Sequence, residues 1–379
     1  MKRTFYFIVL FFTASGCRKL YEPHVNSPAS GYLIVEGYIN TGVGPSTITL
    51  TRTTKLVDTV SIRYEHDARV SIESSTNESF PLAEVADGRY TSDVLHLNPT
   101  SKYRLRVVTQ NGKEYLSDFS PAKYTPLIDS ITWQVEHEGV QIFVNTHDNQ
   151  NNTKYYRWTY SETWEFHSRF LKTMDYITDP VTGQAVGITQ LGSPDTTVYK
   201  CWRTQTSTNI ILGSSEKLTT DRIHLPVRYI QPQADELTVL YYIHLRQIAL
   251  SQDAYLFYQR LKKNTEELGT IFDPMPSELR GNIHCVNDPD ELVIGFVEAS
   301  EEQEKERFIR NSELPMIWLS QMPCGEFEVK NVPPLDTAVM PTRIGTYGMY
   351  NSIATFYAAD RYCVNCTLRG TNKKPAFWP

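Results

Sequence analysis

The chain has 379 residues, a net charge of −6 at pH 7 and a mean hydropathy of −0.38. The acidic balance argues against nucleic acid as a partner, because nucleic-acid binding requires a basic surface. The length exceeds one typical hydrophobic core and predicts two or three domains, while the 23 Tyr and 16 Phe residues indicate a mostly β protein.

The N-terminus predicts a bacterial lipoprotein signal peptide over residues 1–16. Two basic residues precede an apolar run from Phe5 to Phe12, which is too short to span a bilayer. Three small residues beginning at Ala14 come next, and cleavage after them would leave Cys17 to carry palmitate and other acyl chains. Lipoprotein signals usually have Leu in place of Ala14, so an ordinary cleaved signal is the alternative.

Residues 17–30 are polar, contain two prolines and predict a flexible tether. From residue 31 onwards, about seven short strands are separated by turn signals, of which Asn111-Gly112 is a strong hairpin signal. This pattern predicts an N-terminal immunoglobulin-like β-sandwich over residues 31–126. Two further prolines mark its end.

Residues 127–379 are predicted to form a second β-sandwich domain with one helix, long loops and a cysteine-containing tail. A long aromatic strand is predicted over residues 155–166, and residues 175–200, rich in Gly, Pro, Asp and Thr, are predicted as an exposed loop. Apolar residues at helical spacing, with Ser251 as the N-cap, predict a helix near residues 252–268. We expect the proline-rich tail to be irregular and held by its cysteines.

Five cysteines follow Cys17, and outside the cytosol they are expected to form disulfides. The odd number leaves at least one thiol unpaired or paired between chains. Pairing of Cys324 with Cys363 or Cys366 is the preferred interpretation. A zinc site is disfavoured, because zinc usually has four ligands and the C-x-x-C at residues 363–366 has no second copy. The candidates for disulfide formation are Cys201, Cys285, Cys324, Cys363 and Cys366.

The sequence contains no nucleophile elbow, Walker loop, Rossmann fingerprint or zincin motif, so we predict no enzyme activity, no catalytic residue and no cofactor. Residues 147–152 carry alternating oxygen ligands but lack the Gly and Glu of an EF-hand, and a polar loop is the better interpretation. Tyr156, Trp158 and Trp164 offer a stacking platform for sugar rings, although a sandwich core is the commoner role. A hydrolase built on paired carboxylates is a third, less favoured hypothesis.

Motifs spread over nearly the whole mature chain resemble those of one family. They include Leu33–Ile39, Cys201-Trp202, Gly281-Asn282-Ile283, Val293–Phe296 and, most specifically, the ending Cys363–Gly370 with Pro375–Trp378. These segments resemble the DUF4249 family, lipoproteins of Bacteroidota with no assigned molecular function. The chain departs from the family pattern where Asn365 and Ala376 replace a common Asp.

The resemblance implies an outer-membrane lipoprotein that works with a TonB-dependent receptor in nutrient uptake. Separately from the resemblance, we expect the ligand to be a glycan or a peptide. A surface glycan-binding protein that acts on its own is the alternative. Both the periplasmic face and the cell surface stay open, with a slight preference for the surface. No catalytic residue carries over from the family.

Overall fold

The structure is a computed structural model that describes residues 31–54, 62–266, 279–315, 318–320 and 322–379. The predicted signal peptide, the predicted tether and Cys17 lie outside these ranges. In the described part of the chain, no helix combines the length and the apolar character needed to cross a bilayer.

Strands dominate the described residues, so the prediction of a mostly β protein is confirmed. In chain order the first strands are β1 (Leu33–Asn40), β2 (Pro45–Arg52), β3 (Arg63–Tyr64), β4 (Arg69–Ser74), β5 (Ser79–Ala86), β6 (Arg89–Val94), β7 (Lys102–Val108), β8 (Glu114–Ser117), β9 (Ser120–Pro121), β10 (Ile128–Glu136), β11 (Gly139–His147) and β12 (Tyr155–His167). They are followed by β13 (Lys172–Thr178), β14 (Ala185–Asp195), β15 (Lys200–Thr206), β16 (Ile211–Ser214), β17 (Arg222–Ile230), β18 (Leu240–Ala249), β19 (Ile283–Cys285), β20 (Ala299–Ser300), β21 (Glu302–Arg310), β22 (Phe327–Lys330), β23 (Val339–Tyr347) and β24 (Ile353–Asp360). The α-helices are α1 (Gln252–Glu266) and α2 (Arg361–Val364).

The first module is a sheet in the order β19-β8-β7-β4-β5-β6-β2-β1-β20, with β3 beside β2 and β9 beside β7. Alternating strands such as β4 bury one face, because successive side chains point to opposite sides. Its outermost strands, β19 and β20, come from residues far beyond residue 126, where the sequence predicted the domain boundary. The boundary itself stays a prediction. Residues 31–126 alone would therefore lack the strands at both ends of this sheet.

Two glycines of the family-like motifs, Gly281 and Gly295, allow the segment that contains them to pack closely against itself and against β1. A Cβ atom on Gly281 would lie 1.5 Å from the carbonyl oxygen of Gly295, so the two backbones touch where a side chain has no room. Gly295 also has a φ of +154°, which favours glycine. Next to them, the Asn282 side chain accepts from the Val297 N–H at 2.9 Å and donates to the Val297 carbonyl at 2.7 Å. These motif residues therefore have a structural role.

The central module is a sandwich of two sheets, one in the order β10-β11-β17 and the other in the order β15-β12-β18-β21, with β16 also beside β12. Tyr156, Trp158 and Ile243 belong to the core between them. The buried Gln247 side chain accepts a hydrogen bond from Trp158 Nε1 at 2.7 Å and donates one to the Pro126 carbonyl at 2.7 Å. This amide therefore ties the segment that leaves the first module to the central core.

The third module joins the hairpin of β13 and β14 to the sheet β22-β24-β23 around a core that includes Met174, Ile188 and Phe356. The prediction of an exposed loop over residues 175–200 is therefore wrong, and so is the prediction of an irregular tail. Each of these strands contributes few apolar side chains, and their burial requires a partner strand that is distant in the sequence. Local composition therefore gives a loop signal where the folded chain has a hairpin.

The predicted helix is confirmed as α1, although its predicted last two residues lie outside the described part of the chain. The Ala254 N–H donates to Ser251 Oγ at 3.1 Å, which is the expected N-cap hydrogen bond. The apolar face of α1 buries Phe257 and Tyr258, which pack with Tyr38 of β1. The helix therefore covers the junction between the first and central modules.

Two disulfides fix the C-terminal tail. Cys324 pairs with Cys363, as the preferred interpretation expected, and Cys201 pairs with Cys366. Cys285 is buried and unpaired. The two cysteines of the C-x-x-C thus form disulfides with different segments. Cys366 is bonded to β15 in the central module, and Cys363 is bonded to the segment before β22.

Candidate functional site

The three aromatic residues proposed as a sugar platform lie inside the central module. Tyr156 and Trp158 have no exposed surface, and Trp164 is 4 % exposed. The Tyr156 hydroxyl donates to the buried carboxylate of Asp221. The Arg203 guanidinium lies 5.7 Å from the centroid of the Trp164 ring. A stacking platform at these residues is therefore wrong, because none of the rings has a face open to a sugar.

A groove of about 770 Å³ opens where the first and central modules meet. Three segments line it, within residues 123–129, 147–155 and 249–252, and we call it the junction groove. The first segment connects the modules, the second contains the polar loop that follows β11, and the third leads into α1. The groove therefore exists only when residues that are far apart in sequence are brought together.

The Asp148 side chain organises the loop in this groove. Its carboxylate oxygens accept backbone N–H groups of Gln150 at 2.9 Å, Asn152 at 2.9 Å and Thr153 at 2.8 Å. Burial acts to raise the pKa of Asp148, but these backbone hydrogen bonds outweigh it and the pKa is lowered. The ionised carboxylate is thus used to shape the loop, which agrees with the interpretation of residues 147–152 as a polar loop.

The walls of the junction groove combine exposed apolar surface with polar side chains. Tyr124 is 64 % exposed and Leu127 is 67 % exposed. On the polar side, the His147 Nδ1 atom lies 2.7 Å from the Asp129 carboxylate, and this hydrogen bond raises the pKa of His147. Such a mixture suits a polar ligand or a protein segment that presents both kinds of surface. Among the residues that the structure describes, no group of three His, Cys, Asp or Glu side chains is placed to hold a metal ion.

A second cleft separates the turn after β1 from the edge strand β21. The Tyr38 hydroxyl donates a hydrogen bond to the Glu302 carboxylate across it. Burial, together with the negative charge of Glu304, raises the pKa of Glu302 to about 7. A carboxyl group at the contact between two modules therefore titrates near neutral pH.

We expect Glu302→Gln to stabilise the protein at neutral and alkaline pH. Because the pKa of Glu302 is higher in the folded state than its ordinary value of 4.5, its stabilising contribution is complete below pH 4.5 and is lost as the pH rises through about 7. The variant keeps a neutral side chain throughout. Urea denaturation across this range should show the largest gain above pH 7 and no gain below pH 4.5.

Glu304→Gln is the matched control, since it removes the neighbouring charge and should move the same transition to lower pH. Identical pH profiles for the wild type and Glu302→Gln would contradict the assignment.

Sequence reasoning missed the residues that form the junction groove, apart from the polar loop. Tyr124 and Leu127 lie beside the prolines that marked the domain boundary, and that boundary was the one signal that pointed to a junction. Nothing in the local sequence indicates that the start of α1 lies against this segment.

The fold defines a mostly β protein of three packed modules. A family model described as "Domain of unknown function (DUF4249)" matches residues 18–306, so the chain belongs to this family. The match ends before β22, and the Cys363–Gly370 motif lies beyond it. No curated protein matches the chain.

Three solved structures have a weak likeness to this chain. One, described as manganese lipoxygenase of Gaeumannomyces graminis with a partial structure of zonadhesin of Komagataella pastoris, has 7% identity and a TM-score of 0.18, and covers 59% of this chain and 90% of that chain. A putative carbohydrate binding protein from Bacteroides uniformis has 12% identity and a TM-score of 0.15, with 59% and 92% covered. The B domain of a biofilm associated protein has 7% identity and a TM-score of 0.15, with 75% and 89% covered. At these TM-scores the likenesses carry no argument about function.

Proposed function

We propose that this chain is a lipid-anchored, non-enzymatic accessory protein of the outer membrane that works with a TonB-dependent receptor in nutrient uptake. The observation that carries the proposal is the order of the N-terminal sequence, in which a signal-like segment, Cys17 and a short polar stretch precede the first module. Membership of DUF4249 supports it through the lipoprotein character that the family resemblance implies.

The length of the tether supports contact with an integral membrane partner. A chain can reach at most about 3.5 Å per residue, so residues 17–30 can place the first module up to about 50 Å from the lipid. The modules can therefore lie beside or above a receptor while Cys17 stays in the bilayer. We favour the cell surface slightly over the periplasmic face.

The junction groove is the surface that we assign to the partner. Aromatic side chains such as Tyr at the centre of a contact often supply much of its binding energy, and the neighbouring side chains keep water out of that centre. Tyr124 is such an aromatic side chain, Leu127 is an exposed apolar one, and both belong to the segment that connects the first and central modules. A partner bound there would contact both modules at once.

Affinity purification from detergent-solubilised outer membranes tests this function. We expect a TonB-dependent receptor to co-purify with the wild type, and its recovery to fall by about tenfold or more with the double variant Tyr124→Ala/Leu127→Ala. Val181→Ala is the matched control, because Val181 is 91 % exposed but lies on the hairpin of the third module. Absence of any receptor from the wild-type sample counts against the proposal. Equal recovery with the double variant counts against the groove.

A glycan-binding protein that acts on its own is the second candidate. The groove favours it because Tyr124 lies with the side-chain amides of Asn149, Gln150 and Asn152 in one lining, and such aromatic and amide groups suit sugar rings and hydroxyls. A glycan array with the wild type and Tyr124→Ala separates the two candidates. Silence of the wild type on the array removes the second one.

A further inference from the structure

A separate cavity of about 280 Å³ lies in the central module, at the end of β12 beside the family-like C-terminal motif. We call it the arginine cleft. Its lining consists of Trp164, Phe166, Arg203, Gln205, Asp235, Glu236 and Arg369.

Two guanidinium groups cover the aromatic rings of this cleft. Trp164 and Phe166 are two residues apart on β12 and therefore lie on the same face of the strand. The Arg203 guanidinium carbon is 5.7 Å from the centroid of the Trp164 ring, and that of Arg369 is 4.5 Å from the centroid of the Phe166 ring. Stacking uses the flat faces of the guanidinium groups, so their N–H edges can serve hydrogen bonding.

One of the two cations in the cleft has no ion pair among the described residues. Arg369 forms an ion pair with Asp235, yet its Nε atom is buried without a hydrogen-bond partner. Arg203 is exposed and forms no ion pair with any residue in the described part of the chain. When the Gln205 amide is oriented to accept, its oxygen accepts from Arg203 Nη2 at 2.8 Å and from Nε at 3.1 Å. The outer edge of the guanidinium, formed by Nη1 and the second hydrogen of Nη2, is left for a ligand.

The two arginines are close enough to act on one another. Burial lowers the pKa of Arg369, the Asp235 carboxylate opposes this, and the positive charge of Arg203 lowers it further. Glu236 shares Arg228 with Glu162, and burial raises the pKa of Glu236. Asp235 and Glu236 are therefore each engaged by another arginine, and Arg203 is the one charged side chain of the lining that has no ion-pair partner among the described residues.

We propose that the arginine cleft binds the carboxylate group of a small ligand, with Arg203 as the principal contact. A carboxylate carries one negative charge and accepts paired N–H donors, which matches a guanidinium that has no ion pair. A dianionic phosphate would bring a second charge towards the Asp235 carboxylate. Asp235, Glu236 and Gln205 also line the cleft, and oxygen lone pairs beyond those used by the arginines can accept from hydroxyl or amine groups of the ligand, so a sugar acid fits the chemistry of the lining. This site is distinct from the junction groove and does not depend on the receptor partnership.

Isothermal titration of the full-length protein in detergent with D-glucuronate and D-glucose tests the proposal, since the two probes differ in the carboxylate. We expect glucuronate to bind and glucose to be silent. Arg203→Ala should weaken glucuronate binding about tenfold or more, and Arg203→Lys should weaken it less. Because Arg203 is exposed, its variants should keep the wild-type melting temperature.

Arg343→Ala is the matched control. Arg343 also stacks on an aromatic ring, that of Tyr357 at 3.5 Å, but it belongs to the third module, so this variant should bind glucuronate like the wild type. Glucuronate binding that is unchanged in Arg203→Ala, absent from the wild type, or matched by glucose overturns the proposal. Sulfate that binds as tightly as glucuronate overturns the carboxylate assignment. None of these outcomes bears on receptor co-purification, so the two proposals fail separately.

Discussion

Removing the disulfide between Cys201 and Cys366 is expected to lower the free energy of unfolding by about 5 kcal/mol. The bond joins residues 165 positions apart, and breaking it releases a large part of the unfolded chain from a closed loop. Both cysteines are fully buried, so their loss also removes core contacts. The double variant Cys201→Ala/Cys366→Ala avoids an unpaired thiol, and urea denaturation followed by tryptophan fluorescence measures the change.

The other disulfide provides an internal comparison. Cys324 and Cys363 are 39 positions apart, and the same entropy relation predicts a smaller loss of about 4 kcal/mol. Cys285→Ala is the control, because Cys285 is buried but unpaired. A double variant at Cys201 and Cys366 that is no less stable than Cys285→Ala would show that this disulfide does not hold the tail.

Replacing Cys17 with alanine is expected to abolish acylation and to move the protein from the detergent phase to the aqueous phase in Triton X-114 partitioning. Each buried CH₂ of an acyl chain contributes about 0.8 kcal/mol to membrane binding, so several chains far exceed what an acidic protein surface can supply. Labelling with palmitate, followed by mass spectrometry of the N-terminus, measures both acylation and signal cleavage.

Cys285→Ala should retain the full palmitate label, because this thiol is buried in the first module. An unmodified residue 17 in the native protein contradicts the lipid anchor. Persistence of the label in Cys17→Ala would place the acyl chains on another residue. Either result would remove the lipid anchor at Cys17, on which the proposed function rests.

Local patterns predicted the parts of the fold that local forces decide. Ser251 and the apolar spacing after it predicted α1, because an N-cap and an apolar stripe are properties of one continuous segment. The alternation in β4 and β7 predicted strands for the same reason. Long-range pairing was not predictable in this way, so the contribution of β19 and β20 to the first sheet and the whole third module were missed.

In the candidate sites, too, local patterns predicted some features, while others depend on contacts between distant parts of the chain. Trp158 and Trp164 lie an even number of residues apart on one strand, and this spacing fits both a buried core face and an exposed binding platform. Only the second sheet of the sandwich, which covers this face, shows that both rings are buried. One residue of the arginine cleft could have been singled out from the sequence, because Arg369 belongs to the family-like C-terminal motif. Its neighbour Arg203 comes from β15, and no local pattern connects the two.

The late position of β19 and β20 has a consequence for biosynthesis. Because a chain is made from its N-terminus, β1 and β8 emerge long before the strands that pair with their outer edges. The edge of β8 offers unpaired backbone groups to a neighbouring chain until residue 285 has been made, and the edge of β1 does so until residue 300 has been made. We therefore expect the growing polypeptide to need a holding chaperone, and truncations that end before β19 to aggregate instead of accumulating as a folded first module.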